Sequence, residues 1–167
     1  MFEYYNPHPK GLTGVGDCVK RAICLASGID YHDVAIMLNR FRKVSKTTVY
    51  NDNKNWKMFV EQVMLGEKIE EDMRYINCGY RYTVEDFSES IYNQGGDVYI
   101  LRTAKHLVAT NGFGSFLDTW DSGWKSVYIA YKIPSRAIII NNLRKRYAWL
   151  CQGLELGHIK PSAKSKM

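Results

Sequence analysis

A cysteine becomes a strong nucleophile when its thiolate is stabilised, and the start of a helix does this with its positive dipole end and unpaired N–H groups. Cys18 occupies such a start, because Val19, Ala22, Ile23 and Ala26 recur behind it at helical spacing and Gly28 stands where a left-handed stop belongs. Gly14 and Gly16, just ahead, let backbone approach a substrate closely, and the Cys18 N–H can face a developing oxyanion. A buried cysteine that merely packs would have the same local sequence, so the proton acceptor decides between the two readings. Four histidines are available: His8 falls in the N-terminal loop, His32 in a first helical turn and His158 in the tail. His106 differs, since it opens the apolar strand Leu107-Val108-Ala109 and is thereby fixed at the end of a sheet. Asp118 closes the next short strand and can meet His106 across an antiparallel pair, where a carboxylate orients the imidazole and favours its charged form. Asp121, in the turn that follows, is the alternative orienter, and Trp120 either covers the pair from water or packs at the sheet edge. The chemistry expected of Cys18, His106 and Asp118 is acyl transfer through a thioester.

These residues need a scaffold, and the pattern around them predicts one of the α+β class. Residues 1–17 read as a loop. Three helices follow: the one opening at Cys18, a second with Asp30 as N-cap and Val34, Leu38 and Phe41 inward, and a third marked by Trp56, Phe59, Val60 and Val63. Thr83 and Asp86 form a capping box for a further helix carrying Val84, Phe87 and Ile91, which Gly95-Gly96 ends. Strands are expected over 98–101, 106–110, 115–117 and 127–132, with turns at Asn111-Gly112 and Ser122-Gly123, making an antiparallel sheet. A C-terminal helix carries the stripe Ile140, Leu143, Tyr147, Leu150 and Leu154. The expected organisation is a domain over 1–133, an appended helix over 134–159 and a basic tail over 160–167.

A chain of 167 residues with 46% apolar content can bury one substantial core. No run of about 18 apolar residues is present and no secretory pattern opens the chain, so a cytoplasmic protein with no membrane association is expected. The four cysteines form no C-x-x-C pair or zinc spacing, which predicts free thiols and no metal, and no cofactor motif is found. The glycine-rich stretch 11–16 lacks the lysine and hydroxyl of a nucleotide-binding loop. Of the net charge of +6, the segment from Lys132 onward carries +7, leaving about −1 for the rest. Arg144, Lys145 and Arg146 beside Tyr147 and Trp149 suggest weak polyanion contact, although a solvated helix face has the same composition. The apolar stripe of that helix needs a partner, its own domain first and a second copy of the chain next.

The order Cys18, His106, Asp118, with helices leading and a sheet trailing, resembles that of papain-like cysteine peptidases. Asp118-Thr119-Trp120 is similar to that family's Asn-Ser-Trp, and the run from Gly16 to Ile23 resembles the nucleophile segment of small papain-like proteins predicted in phage genomes. The likeness covers about residues 6–132. It implies a papain-like fold, a protein or peptide substrate, hydrolysis of a peptide or isopeptide bond and, for a phage protein, the host bacterial cytoplasm. One departure stands out. Papain relatives place a glutamine upstream of the cysteine to complete the oxyanion hole, whereas this chain reads Gly11-Leu12-Thr13-Gly14. Asn6 is the nearest amide, Thr13 or Asp17 the nearest substitutes, and a missing donor costs on the order of a hundredfold in rate. Two other functions therefore stay in view: an inactive papain-like protein that binds a host protein, and a nucleic-acid-binding accessory domain.

Overall fold

The computed structural model describes residues 1–45, 53–69 and 80–157. Cys78, His158 and the tail over 160–167 lie outside the described residues. The fold is α+β. Along the chain the elements are β1 (Phe2–Tyr4), α1 (Cys18–Ser27), α2 (Tyr31–Ser45), α3 (Asn53–Met58), β2 (Glu67–Lys68), α4 (Val84–Glu89), β3 (Val98–Thr103), β4 (His106–Thr110), β5 (Phe116–Asp118), β6 (Ile129–Ile133), α5 (Arg136–Arg146) and α6 (Ala148–Cys151). A π-helical turn over Phe59–Val63 prolongs α3, and a 3-10 turn over Ile91–Asn93 follows α4.

The six strands form one sheet in the order β1-β5-β4-β3-β6-β2. All neighbours are antiparallel except β1 and β5, which run parallel with Phe2 opposite Phe116 and Tyr4 opposite Asp118. The sheet is thus mixed, and the N-terminal segment expected to be a loop throughout begins as its edge strand. Phe2 explains the placement: its ring packs 5.6 Å from that of Phe116, so the short strand has an apolar anchor despite the prolines and glycines that follow it.

Alternation along the strands divides two buried layers. Ile100, Leu107 and Ala109 face α1, α2, α3 and α5, where Ile23, Val34, Leu38, Trp56, Phe59 and Leu143 complete the larger core. Leu101, Val108 and Phe116 face the other way, onto Val84 and Phe87 of α4. Gly28 ends α1 at φ 71°, its N–H donating to the Cys24 carbonyl, and Asp30 accepts from the Asp33 N–H at the head of α2 (2.9 Å). The Thr83–Asp86 capping box is present in full. Its helix is shorter than expected. It stops at Ser90, well before Gly95, because the Ser90 side chain caps the 3-10 turn instead, and Ile91 is left exposed rather than inward.

The C-terminal helix is also two elements rather than one, broken where Tyr147 takes a non-helical backbone (φ −128°, ψ 35°). Ile139, not Ile140, is the fully buried residue of its first turns, joined by Leu143, Leu150 and Leu156 in the larger core. Arg136 fixes the segment by donating to the carbonyls of Gly28 and Leu156, while Arg144, Lys145 and Arg146 are exposed.

Candidate active site

The α1 helix begins where the Arg21 N–H closes on the Asp17 carbonyl (3.0 Å), which makes Cys18 its first residue. The Asp17 side chain makes no cap. It is buried, held by the Arg21 guanidinium and by the Tyr31 hydroxyl at 3.0 Å. Cys18 is partly buried and shares one cavity wall with His106 and Leu107, whose ring and backbone N–H favour its thiolate as hydrogen-bond donors. Burial alone would raise the thiol pKa, yet these bonds and the charges on His106 and Arg21 bring it below the ordinary value.

His106 pairs with Thr103 at the end of the β3–β4 hairpin. Its Nε2 lies 2.6 Å from Asp118 Oδ2, which leaves Nδ1 for the sulfur. Desolvation works against protonation of this ring, but the hydrogen bonds and charges of Asp118 and Cys18 raise its pKa to about 9. Asp118 is almost fully buried, and both of its oxygens are saturated. Oδ2 accepts from His106 and from the Ser122 hydroxyl (2.7 Å), and Oδ1 accepts from the Thr119 N–H (2.7 Å) and from Arg21 Nη2 (3.1 Å). Burial pushes the Asp118 carboxyl up, and those partners overcome it to hold the pKa below the usual carboxylate range. The register explains the meeting: Thr110 pairs with Phe116, so the two-residue alternation puts His106, Val108, Phe116 and Asp118 on one face.

Trp120 covers the imidazole, with ring centroids 4.9 Å apart, and Trp124 stands 6.4 Å from Trp120. Asp121, the alternative orienter, instead accepts from the Gly123 N–H as an ordinary turn residue (3.0 Å). His8 contacts the Tyr31 ring, and His32 is exposed on α2. The upstream amide, Asn6, is buried, with its Nδ2 donating to the Leu12 carbonyl and its Oδ1 accepting from the His8 N–H. Asp17 is engaged by the Arg21 guanidinium and the Tyr31 hydroxyl. Thr13 is exposed.

Two contributors were not singled out from the sequence. Ser122 was read only as a turn marker, although its hydroxyl supports Asp118. Arg21 is buried between Asp17 and Asp118. Its half of the signal was visible as an Asp-to-Arg pair at i, i+4, but the contact to a residue 97 positions away was not.

Beside the sulfur lies an open cavity of about 660 Å³, lined by Gly16, Cys18, Val19, Trp56 and the residues 102–107. Cys24, by contrast, is fully buried, and burial pushes its thiol well up. Among the described residues no group of three or more His, Cys, Asp or Glu could hold a metal ion, and no helix is long and apolar enough to cross a membrane.

No protein-family model matches this chain, and neither does any curated protein or solved structure. The functional reading therefore rests on the site itself: a thiol with a lowered pKa, a histidine that holds a proton at neutral pH, and a charged carboxylate fixed behind it.

Proposed function

We propose that this protein is a cysteine-dependent hydrolase of peptide or isopeptide bonds, with Cys18 as nucleophile, His106 as general acid and base and Asp118 as orienter. The observation that carries the reading is a His106 ring held by Asp118 at Nε2 and lining the same cavity as Cys18. In this scheme the thiolate attacks the carbonyl carbon, and the negative charge passes to the carbonyl oxygen near the Cys18 N–H at the head of α1. As the C–N bond breaks, His106 gives its proton to the leaving amine. A water molecule, deprotonated by His106, then attacks the thioester, and the acid departs as the proton returns to the site. The likeness to papain-like peptidases supports the same assignment, and a cytoplasmic setting with a protein or peptide substrate belongs to the same proposal.

A second reading has its own observation. The stretch just ahead of Cys18 lacks the glutamine that papain relatives use as oxyanion donor, and Asn6, the nearest upstream amide, is bonded to Leu12 and His8 within its own loop. That favours a scaffold that binds a protein without cleaving it. The exposed Arg144, Lys145 and Arg146 keep weak nucleic-acid contact as a lesser option.

Brief iodoacetamide treatment of the folded protein at neutral pH, followed by peptide mapping, separates these readings. Cys18 should be labelled at least about tenfold faster than Cys24, Cys78 or Cys151, and His106→Ala should remove most of that advantage. Uniform labelling of all four cysteines would sink the hydrolase reading.

A further inference from the structure

The cavity beside Cys18 has an uneven lining. Val19, Trp56 and Leu107 are buried and make an apolar floor, whereas Arg102 and Lys105, from the β3–β4 hairpin, bring two cations to its wall. No aspartate or glutamate among the described residues lines it. Among the described residues neither Lys105 nor Arg102 forms an ion pair; the Arg102 guanidinium lies 6.0 Å from the Tyr128 ring centroid and acts electrostatically on the Tyr131 hydroxyl.

The backbone adds a second observation. Ala104 and Lys105 make the two-residue connection between the paired Thr103 and His106, and Lys105 sits there at φ 57°. Glycine or asparagine takes that left-handed position with least strain, so a lysine holds it at a conformational cost. Strain retained beside a reactive group signals a use for the side chain.

We propose that this cavity receives an acidic side chain of the substrate, an aspartate or glutamate close to the scissile bond on the acyl side. Arg102 and Lys105 bind its carboxylate, and its methylene groups lie on Val19, Trp56 and Leu107. The acyl side is assigned because Cys18, which carries the acyl group, forms part of the cavity wall. A volume of about 660 Å³ accommodates such a side chain together with part of a neighbouring residue. Two cations beside an apolar floor suit a carboxylate on a short aliphatic stem, since the guanidinium fork matches its two oxygens. This inference rests on the hydrolase reading of Cys18.

Peptidyl chloromethyl ketones that differ only in Glu, Gln, Leu or Lys at the residues preceding the electrophile test it through the rate of Cys18 alkylation. Glu should exceed Gln by about tenfold to a hundredfold, the size of a lost charge-assisted hydrogen bond, and the advantage should shrink in high salt. Lys105→Gly suits the left-handed backbone, so it should fold and lower the Glu-to-Gln ratio at least about threefold. The double variant Arg102→Glu, Lys105→Glu should turn the preference toward Lys. Equal rates for Glu and Gln, or a ratio indifferent to both variants, would overturn the proposal. Iodoacetamide enters no subsite and reports Cys18 alone. Slow labelling by it sinks the hydrolase reading and this inference together, whereas fast labelling without a Glu preference sinks only the subsite.

Discussion

Asp118 receives four hydrogen bonds on two oxygens in a site almost closed to water, and that saturation defines its part in the chemistry. A carboxylate so satisfied stays charged and immobile, so it steers the imidazole without taking its proton. The pH consequence follows from the shifted groups. Thiolate at Cys18 should form below the ordinary cysteine pKa, so its labelling should rise at lower pH than that of an unperturbed thiol. Hydrolysis also needs the His106 proton for the leaving amine, so it should decline as pH rises through about 9. The stability contributed by protonated His106 is full below its unfolded value of about 6.5 and is lost over the same rise. Arg21 is the hidden member of the arrangement. Arg21→Met should leave Asp17 and Asp118 buried without their guanidinium and cost about 3–5 kcal/mol in urea unfolding. A loss below about 1 kcal/mol would show that its ion pairs are already screened by solvent. The positions of the three candidate residues were legible in the sequence because each sits at an element boundary, where a helix starts or a strand begins or ends. Arg21 was not, because its neighbours Val19, Lys20 and Ala22 mark an ordinary helix and its second partner is supplied by a distant strand.

At the scale of elements, the β4–β5 connection decides whether His106 and Asp118 share a face, and its geometry depends on Gly112. That residue has φ 82°, donates its N–H to Asn93 Oδ1 at 2.7 Å and accepts from the Gly96 N–H at 2.9 Å. A Cβ added there would lie 2.5 Å from the Gly96 carbonyl carbon. Gly112→Ala should therefore cost more than about 2 kcal/mol, and a shift in this connection would also slow Cys18 labelling. Gly95→Ala, where a Cβ meets nothing within 4 Å, is the matched control and should leave the urea midpoint nearly unchanged. Equal midpoints for both variants would refute the account. The Asn111-Gly112 turn and the Thr83–Asp86 capping box were readable because each is a local device whose residues are close in sequence. The edge strand β1 was not, since three residues before a proline and glycine-rich stretch carry too little pattern, and only Phe116, brought from far along the chain, gives Phe2 a place to pack. Ile91 failed for a related reason: helical spacing predicted its direction, but Ser90 ended the helix first.

For the whole molecule, the segment beyond Pro134 is continuous with the larger core. Ile139, Leu143 and Leu150 are fully buried, the Asp30 N–H donates to the Gly157 carbonyl (2.7 Å), and the Gly157 N–H donates to Asp33 (3.2 Å). A chain ending at Ile133 should thus be insoluble or aggregate on size-exclusion chromatography, while one ending at Gly157 should stay monomeric with Cys18 reactive. Soluble, reactive protein from the shorter chain would show that the segment is dispensable for folding. The parallel pairing of β1 with β5 carries a different consequence, one for synthesis. The first strand must wait for a partner 114 residues later, and Cys18 must wait nearly as long for His106 and Asp118. Since chains emerge at roughly 5–20 residues per second, the nascent polypeptide spends several seconds at the ribosome as an ordinary thiol with no base beside it. On the hydrolase reading, Cys18 would gain its base and orienter only after translation has passed the sheet.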